Sequence, residues 1–310
     1  MKRFPGSIIA VMLLLNHCSV DDSRAQKEAS GEVRAKFAQL TKNTVYDLVS
    51  EIEIKFDTYH TQGILKIDEY YYLSAVEVTE DRVKLEQPDK DGYTRTAGKG
   101  LGHLFKIDAD GNLVKDLVLL DGGMYHPSGI DFDGTHIWIA LAAYRRHSEA
   151  KIYKVDIEQL EAEEMFSVSD HIGGLVYDRD ANLLYGLSWG SRTIYCWTPE
   201  GTEQYRYDNP SHYVDFQDAK YVGANMMIAS GKNNLNFGVN DQIEVREIGG
   251  MALIDLATGK IIHAVPVMIS QGDGAIITRN PMDVELRDGK LTFYFAPEDN
   301  QTTIYVYQAQ

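Results

Sequence analysis

The chain has 310 residues, 44% hydrophobic and 10% aromatic, with a formal net charge of −16. An acidic surface of this kind repels nucleic acid and anionic membranes, which removes DNA, RNA and the bare bilayer as partners. One domain of this length is most readily all-β or a barrel, and 19 tyrosines favour strands over helices.

The first element is a targeting segment. Met1-Lys2-Arg3 is basic, and Ile8 to Leu15 (IIAVMLLL) is apolar. That core is far shorter than the roughly 20 residues a membrane span needs, so residues 1–25 read as an export leader. Two processing routes stand side by side. One cleaves after Ala25, with Ser23 and Ala25 as the small residues. The other makes Cys18 the lipid-modified first residue of a lipoprotein, with Leu15 three positions before it and acidic Asp21-Asp22 after it. Either route places the chain in the periplasm, at the cell surface or outside the cell, touching membrane only through a lipid anchor. Cys18 and Cys196 are the only cysteines, and the first lies in the leader, so the mature domain holds together by packing. Residues 26–42 (QKEASGEVRAKFAQLTK) read as a polar helix or tether.

From residue 43 to 310 a repeat governs the chain. Five segments share a four-residue entry, an alternating strand, a turn and a second apolar strand. They begin at His60-Thr-Gln-Gly63, His126-Pro-Ser-Gly129, His171-Ile-Gly-Gly174, Asp215-Phe-Gln-Asp218 and Asn280-Pro-Met-Asp283. Two of the four intervals are 45 and 44 residues, matching a propeller blade of roughly 40–45 residues. The other two, 66 and 65, carry polar insertions at 79–101 and 231–249 that read as long loops. The domain is therefore expected to be a single five-bladed β-propeller, with a six-bladed ring as the alternative. The last repeat lacks a fourth strand, so 46–56 (YDLVSEIEIKF) is expected to close the ring against it.

This topology gathers the repeat entries around one mouth of the central channel. His60, His126, His171, Asp215 and Asn280 stand at equivalent positions, with Gln62, Gln217, Asp218 and Asp283 in the same turns. Three imidazoles and a carboxylate are metal-type ligands, so His60, His126, His171 and Asp215 are a candidate set for a divalent ion. The structural alternative is that each entry histidine only braces a neighbouring blade's backbone. The loops between second and third strands open on the same face. They bring Arg145, Arg146, Trp189 and Arg192, and arginine beside aromatic rings suits a small anionic or polar ligand. No nucleophile–base motif, phosphate loop or CxxC pair occurs. Cys196 lies mid-strand, as an inert core thiol does.

The string His60-Thr61-Gln62-Gly63-Ile64 followed by Tyr70-Tyr71-Tyr72-Leu73-Ser74 resembles the first-blade motif of glutaminyl-peptide cyclotransferases. The resemblance implies a five-bladed propeller. It does not imply their activity, because Leu73 stands where that family has its glutamate. The whole chain, with HPSGIDFDG and VDFQDAKYV, resembles an uncharacterised family of exported bacterial propellers. Three functions fit: a monomeric binding module for a small molecule, a metal-assisted hydrolase or lyase of lactonase or cyclotransferase type, and a protein-interaction scaffold.

Overall fold

A computed structural model describes residues 29–209, 211–239, 242–272 and 274–310. The export leader and Cys18 lie outside the described residues.

Alternating apolar runs separated by tight turns fold into successive antiparallel sheets. The first sheet joins His60–Ile67, Tyr70–Glu80, Lys99–Ile107 and Leu113–Leu119 in that order. In the second, the first strand is broken into Met124–Pro127 and Asp131–Phe132, followed by His136–Ala143, Ala150–Asp156 and Glu161–Val168. The break follows Pro127, and the Ser128 hydroxyl restores pairing by accepting from Ala140 N at 2.9 Å. The third sheet joins Ile172–Asp178, Leu183–Ser188, Thr193–Trp197 and Glu203–Asp208. The fourth joins Asp215–Tyr221, Met226–Val239, Gln242–Asp255 and Ile261–Pro266. Met282–Arg287, Lys290–Phe295 and Thr303–Ala309 form the fifth, whose fourth strand is the N-terminal Tyr46–Glu53. Tyr46 faces Ala309 and Glu53 faces Thr303 in that antiparallel pair.

First strands are mostly buried and fourth strands mostly exposed, so each sheet runs from the centre of the molecule to its surface. Apolar clusters fill the spaces between neighbouring sheets. One packs Leu65 and Leu104 against Ile137 and Ile139. Another packs Ile64, Leu73 and Phe105 of the first sheet against Tyr294, Ile304 and Val306 of the fifth. Cys196 is a buried free thiol in the cluster between the third and fourth sheets.

Apart from a bridge between Gly129 and Gly174, the first strands have no strand partner on their central side among the described residues, so their other inward N–H groups need other acceptors. Buried carboxylates supply several. Asp218 Oδ2 accepts from Ile64 N (3.2 Å) and Met282 N (3.1 Å), tying the fourth sheet to the first and fifth. Asp131 Oδ2 accepts from Tyr177 N (2.9 Å) and Tyr221 N (3.1 Å), tying the second to the third and fourth. Asp283 Oδ2 accepts from Lys66 N at 2.7 Å. The Lys220 ammonium lies 2.7 Å from Asp218 Oδ1 and donates to Ile130 O at 2.6 Å. An added Cβ on Gly63 would sit 2.6 Å from Ile130 N, against rigid backbone, so only glycine fits there.

One segment differs from the sequence reading, and the segment read as a polar helix or tether takes the first of those forms but packs against the domain. Residues 231–239 and 242–249 are not a loop: the antiparallel ladder between Met226–Val239 and Gln242–Asp255 continues through them as a long arm. Its apolar residues do alternate, Leu235 with Phe237 and Ile243 with Val245, but Phe237, Ile243 and Val245 are exposed and sit among Asn, Gly and Glu, so the segment reads as a polar loop. Residues 29–37 form a helix whose Val33 and Phe37, with Leu40 just beyond it, are buried against the fourth and fifth sheets. His263 Nε2 contacts Leu40 O at 2.7 Å and holds the end of that segment.

Lys220→Met leaves Asp218 as a buried charge without its cation. The expected loss is about 3–5 kcal/mol of unfolding free energy in urea melts followed by tryptophan fluorescence. Adding Asp218→Asn to that variant should recover part of the loss. An unchanged urea midpoint for Lys220→Met would show that the pair does not hold the centre.

Candidate functional site

The starts of the first strands surround a cavity of about 130 Å³. A β-bulge shapes each of three entries, shifting register between Thr61 and Gly63, Ile172 and Gly174, and Phe216 and Asp218. The period of two along a strand puts side chains two apart on one wall. His60 and Gln62, His171 and Gly173, and Asp215 and Gln217 all line the cavity, together with His126 and Trp189.

The histidines differ in state. His171 Nδ1 donates to Ala143 O at 2.9 Å, leaving its Nε2 as an acceptor. Burial pulls the His171 imidazole down to about 4, against the opposing pull of that hydrogen bond. Burial also pushes His126 well below its usual range, and the nearby His171 and His60 act in the same direction. His126 Nδ1 has no hydrogen-bond partner among the described residues. Both rings are neutral at pH 7. His60 is different: it is partly exposed and its Nδ1 lies 2.7 Å from Asp299 Oδ1.

A cleft of about 220 Å³ adjoins the cavity and shares Tyr144 and Trp189 with it. The 79–101 insertion builds its far side. Tyr93 OH donates to His147 O at 3.1 Å and Arg145 lies 3.3 Å from Asp89, which fixes the insertion to the neighbouring sheet's loop. The Arg82 guanidinium stacks 3.6 Å over the Tyr144 ring. Tyr144 in turn stacks on Trp189 at 5.6 Å, and Trp189 meets His171 at 4.6 Å. Arg146 lies 5.7 Å from Trp189, and Arg95 completes the cleft. Arg82, Arg95 and Arg146 have no carboxylate partner among the described residues.

Of the residues singled out by sequence, His60, Gln62, His126, His171, Asp215, Gln217 and Trp189 meet in the cavity, and Arg145 and Arg146 in the cleft. Four do not reach either space. Asp218 is fully buried at the centre with Lys220. Asp283 lines a separate cavity of about 420 Å³ at the opposite ends of the first strands, where burial pushes its carboxyl up to about 7. Asn280 is buried beside the mouth without lining it. Arg192 is spent on Asp215, 3.0 Å away, and on His212. Sequence spacing fixes a residue's level along the channel but not its direction, so Asp218 and Asp283 were misplaced by it. The metal set is likewise not assembled. Among the described residues no three His, Cys, Asp or Glu side chains come together as ligands. Asp215 is held by Arg192 and one nitrogen of His60 by Asp299. Arg82 and Asp299 had no signal beyond polarity, because their roles come from contacts between sheets.

The sequence matches the model of DUF6454, a family of unknown function, over residues 11–310. The chain belongs to the DUF6454 family. No curated protein matches it. Among solved structures, this DUF6454 chain is similar to a luciferin-regenerating enzyme (TM-score 0.46, 9% identity, covering 86% of this chain and 95% of that one). It is also similar to the WD40 β-propeller domain of Doa1 (TM-score 0.39, 12% identity, 84% and 96%). A third is the tail fiber of Staphylococcus aureus phage P68 (TM-score 0.47, 12% identity), where 93% of this chain covers only 56% of the fiber chain. The chain's own sheets, successive and antiparallel with four-strand order, give it a β-propeller-like fold. Nothing supports the cyclotransferase resemblance, and Leu73, at the position of that family's glutamate, is fully buried in an apolar cluster.

The His171 shift has a measurable consequence. The unfolded imidazole protonates near its ordinary value of about 6.5, whereas the folded one resists until about 4. The stability it contributes is therefore complete above the unfolded value and lost as pH falls through that window. His171→Gln should flatten the decline of the urea midpoint between those two pH values relative to the parent chain. Identical slopes would contradict a neutral His171.

Proposed function

We propose that this DUF6454 protein is an exported, five-bladed propeller that binds a small anionic molecule at the mouth where the three histidines meet. Five sheets, the pairing of Tyr46–Glu53 with Thr303–Ala309, and the apolar cluster between the last and first sheets support a ring closed by its N-terminal strand. The observation that carries the ligand class is the cleft. Three guanidinium groups without carboxylate partners converge beside Tyr93, Tyr144 and Trp189, in a chain whose net charge is −16. Arginine is unusually suited to carboxylate and phosphate oxygens, and its stacking on Tyr144 holds the guanidinium plane ready for them. The neutral His126 and His171 beyond Trp189 add polar but uncharged walls for the rest of the ligand.

Phenyl phosphate and glutarate are suitable probes for calorimetric titration. Arg82→Ala with Arg146→Ala is expected to weaken binding by roughly tenfold or more, since a charged hydrogen bond is worth about 1.5–3 kcal/mol. Binding to the parent chain should also weaken as salt is raised. Equal affinity in parent and variant would remove the cleft from the ligand site.

A further inference from the structure

The mouth carries an acid–base device that binding alone does not require. His60 and Asp299 come from the first and fifth sheets, and their side chains meet at 2.7 Å. Burial works to raise the Asp299 carboxyl, but the hydrogen bond to His60 and the charges of Arg279 and Lys232 hold it below the usual carboxylate range. Asp299 is therefore a fixed acceptor for Nδ1–H of His60, which leaves the lone pair of the neutral ring on Nε2. His60 lines the cavity and its side chain is 30% exposed, so water reaches that ring. A carboxylate that orients an imidazole whose other nitrogen is free is the arrangement of a general base. No cysteine lines the cavity, and the Ser188 hydroxyl is already engaged by Thr193 N at 2.8 Å. Solvent is thus the nucleophile best placed for His60.

We infer that the mouth is hydrolytic, with His60 as the base and Asp299 as its positioning residue, acting on an ester or lactone whose substrate also carries an anionic group for the arginine cleft. The inference rests on the binding reading above. In the step, His60 Nε2 takes a proton from water as the water oxygen bonds to the carbonyl carbon. The tetrahedral intermediate then breaks its bond to the alcohol oxygen, which receives the proton from His60. One ester and one water become one carboxylic acid and one alcohol, with no redox partner. The neutral His126 and His171 bring no cationic charge that would compete with the arginines for the anionic group.

The test uses the folded chain with 4-nitrophenyl hydrogen glutarate, the neutral 4-nitrophenyl butyrate, and phenyl phosphate as an unreactive ligand. The expected result is preferential release of nitrophenolate from the anionic ester. His60→Gln and Asp299→Asn should each lower kcat by roughly a hundredfold or more, while the melting temperature stays near that of the parent. For Asp299→Asn the pH profile should also move, which a merely structural role would not produce. If the parent chain binds phenyl phosphate but cleaves neither ester, the hydrolytic inference falls and the binding reading stands. Full kcat in both variants also overturns the inference. Failure of the parent chain to bind phenyl phosphate or glutarate overturns the binding reading itself, and the inference with it.

Discussion

The buried Asp218–Lys220 pair is the contact on which the rest of the molecule depends. Asp218 receives backbone hydrogens from the first and fifth sheets, and Lys220 reaches the second through Ile130 O. Together they join four sheets at one point, including their own. A buried ion pair seldom adds net stability over apolar packing, because desolvation offsets the attraction. Here the pair does something apolar side chains cannot do. It satisfies backbone groups that face inward from strands with no neighbour, and so sets the separation and height of the first strands relative to one another. The separation of His60, His126 and His171 at the strand starts follows from it.

Electrostatics then divides the mouth into two compartments. Toward the channel, burial keeps His126 and His171 uncharged. Toward the rim, an aromatic stack carries cations outward, from Trp189 through Tyr144 to Arg82. The stack uses residues of three sheets: Arg82 follows the second strand of the first, Tyr144 that of the second, and Trp189 that of the third. The gradient from neutral depth to cationic rim orients a ligand with one charged end. The His60–Asp299 pair joins the first sheet to the fifth at the same mouth.

How much of this was legible follows from what a repeat encodes. The entries His60, His126, His171 and Asp215 share one offset in one repeat, so any propeller brings them to one level, and their meeting was foreseeable. Trp189 and Arg146 follow from loop topology by the same reasoning. The paired strands at 231–239 and 242–249 were hidden because their Asn, Gly and Glu outweighed the alternation of Leu235 with Phe237 and Ile243 with Val245, which stays largely in solvent. Arg82 lay inside a polar run, and only its stacking on a neighbouring sheet's tyrosine distinguishes it from a solvated loop charge. Asp299 was visible as a loop acid, but its partner lies 239 positions away in the chain.

The fourth position of the repeat shows the same limit and also its resolution. It is glycine in the first three sheets (Gly63, Gly129, Gly174) and aspartate in the last two (Asp218, Asp283). By sequence this looks like loose tolerance for small or polar turn residues. In the fold the two choices are complementary. Gly129 and Gly174 lie side by side, with Gly129 N donating to Gly173 O at 2.9 Å and Leu175 N to Gly129 O at 3.2 Å, so the second and third sheets bond directly. A Cβ on Gly129 would lie 2.6 Å from Asp218 Oδ1. The glycines leave the space that the Asp218 carboxylate fills, and that carboxylate supplies acceptors where direct pairing between first strands is absent. Replacing either class by the other therefore fails at both ends: a side chain at Gly129 displaces Asp218, and a glycine at position 218 leaves Ile64 N, Met282 N and the Lys220 ammonium without their shared acceptor.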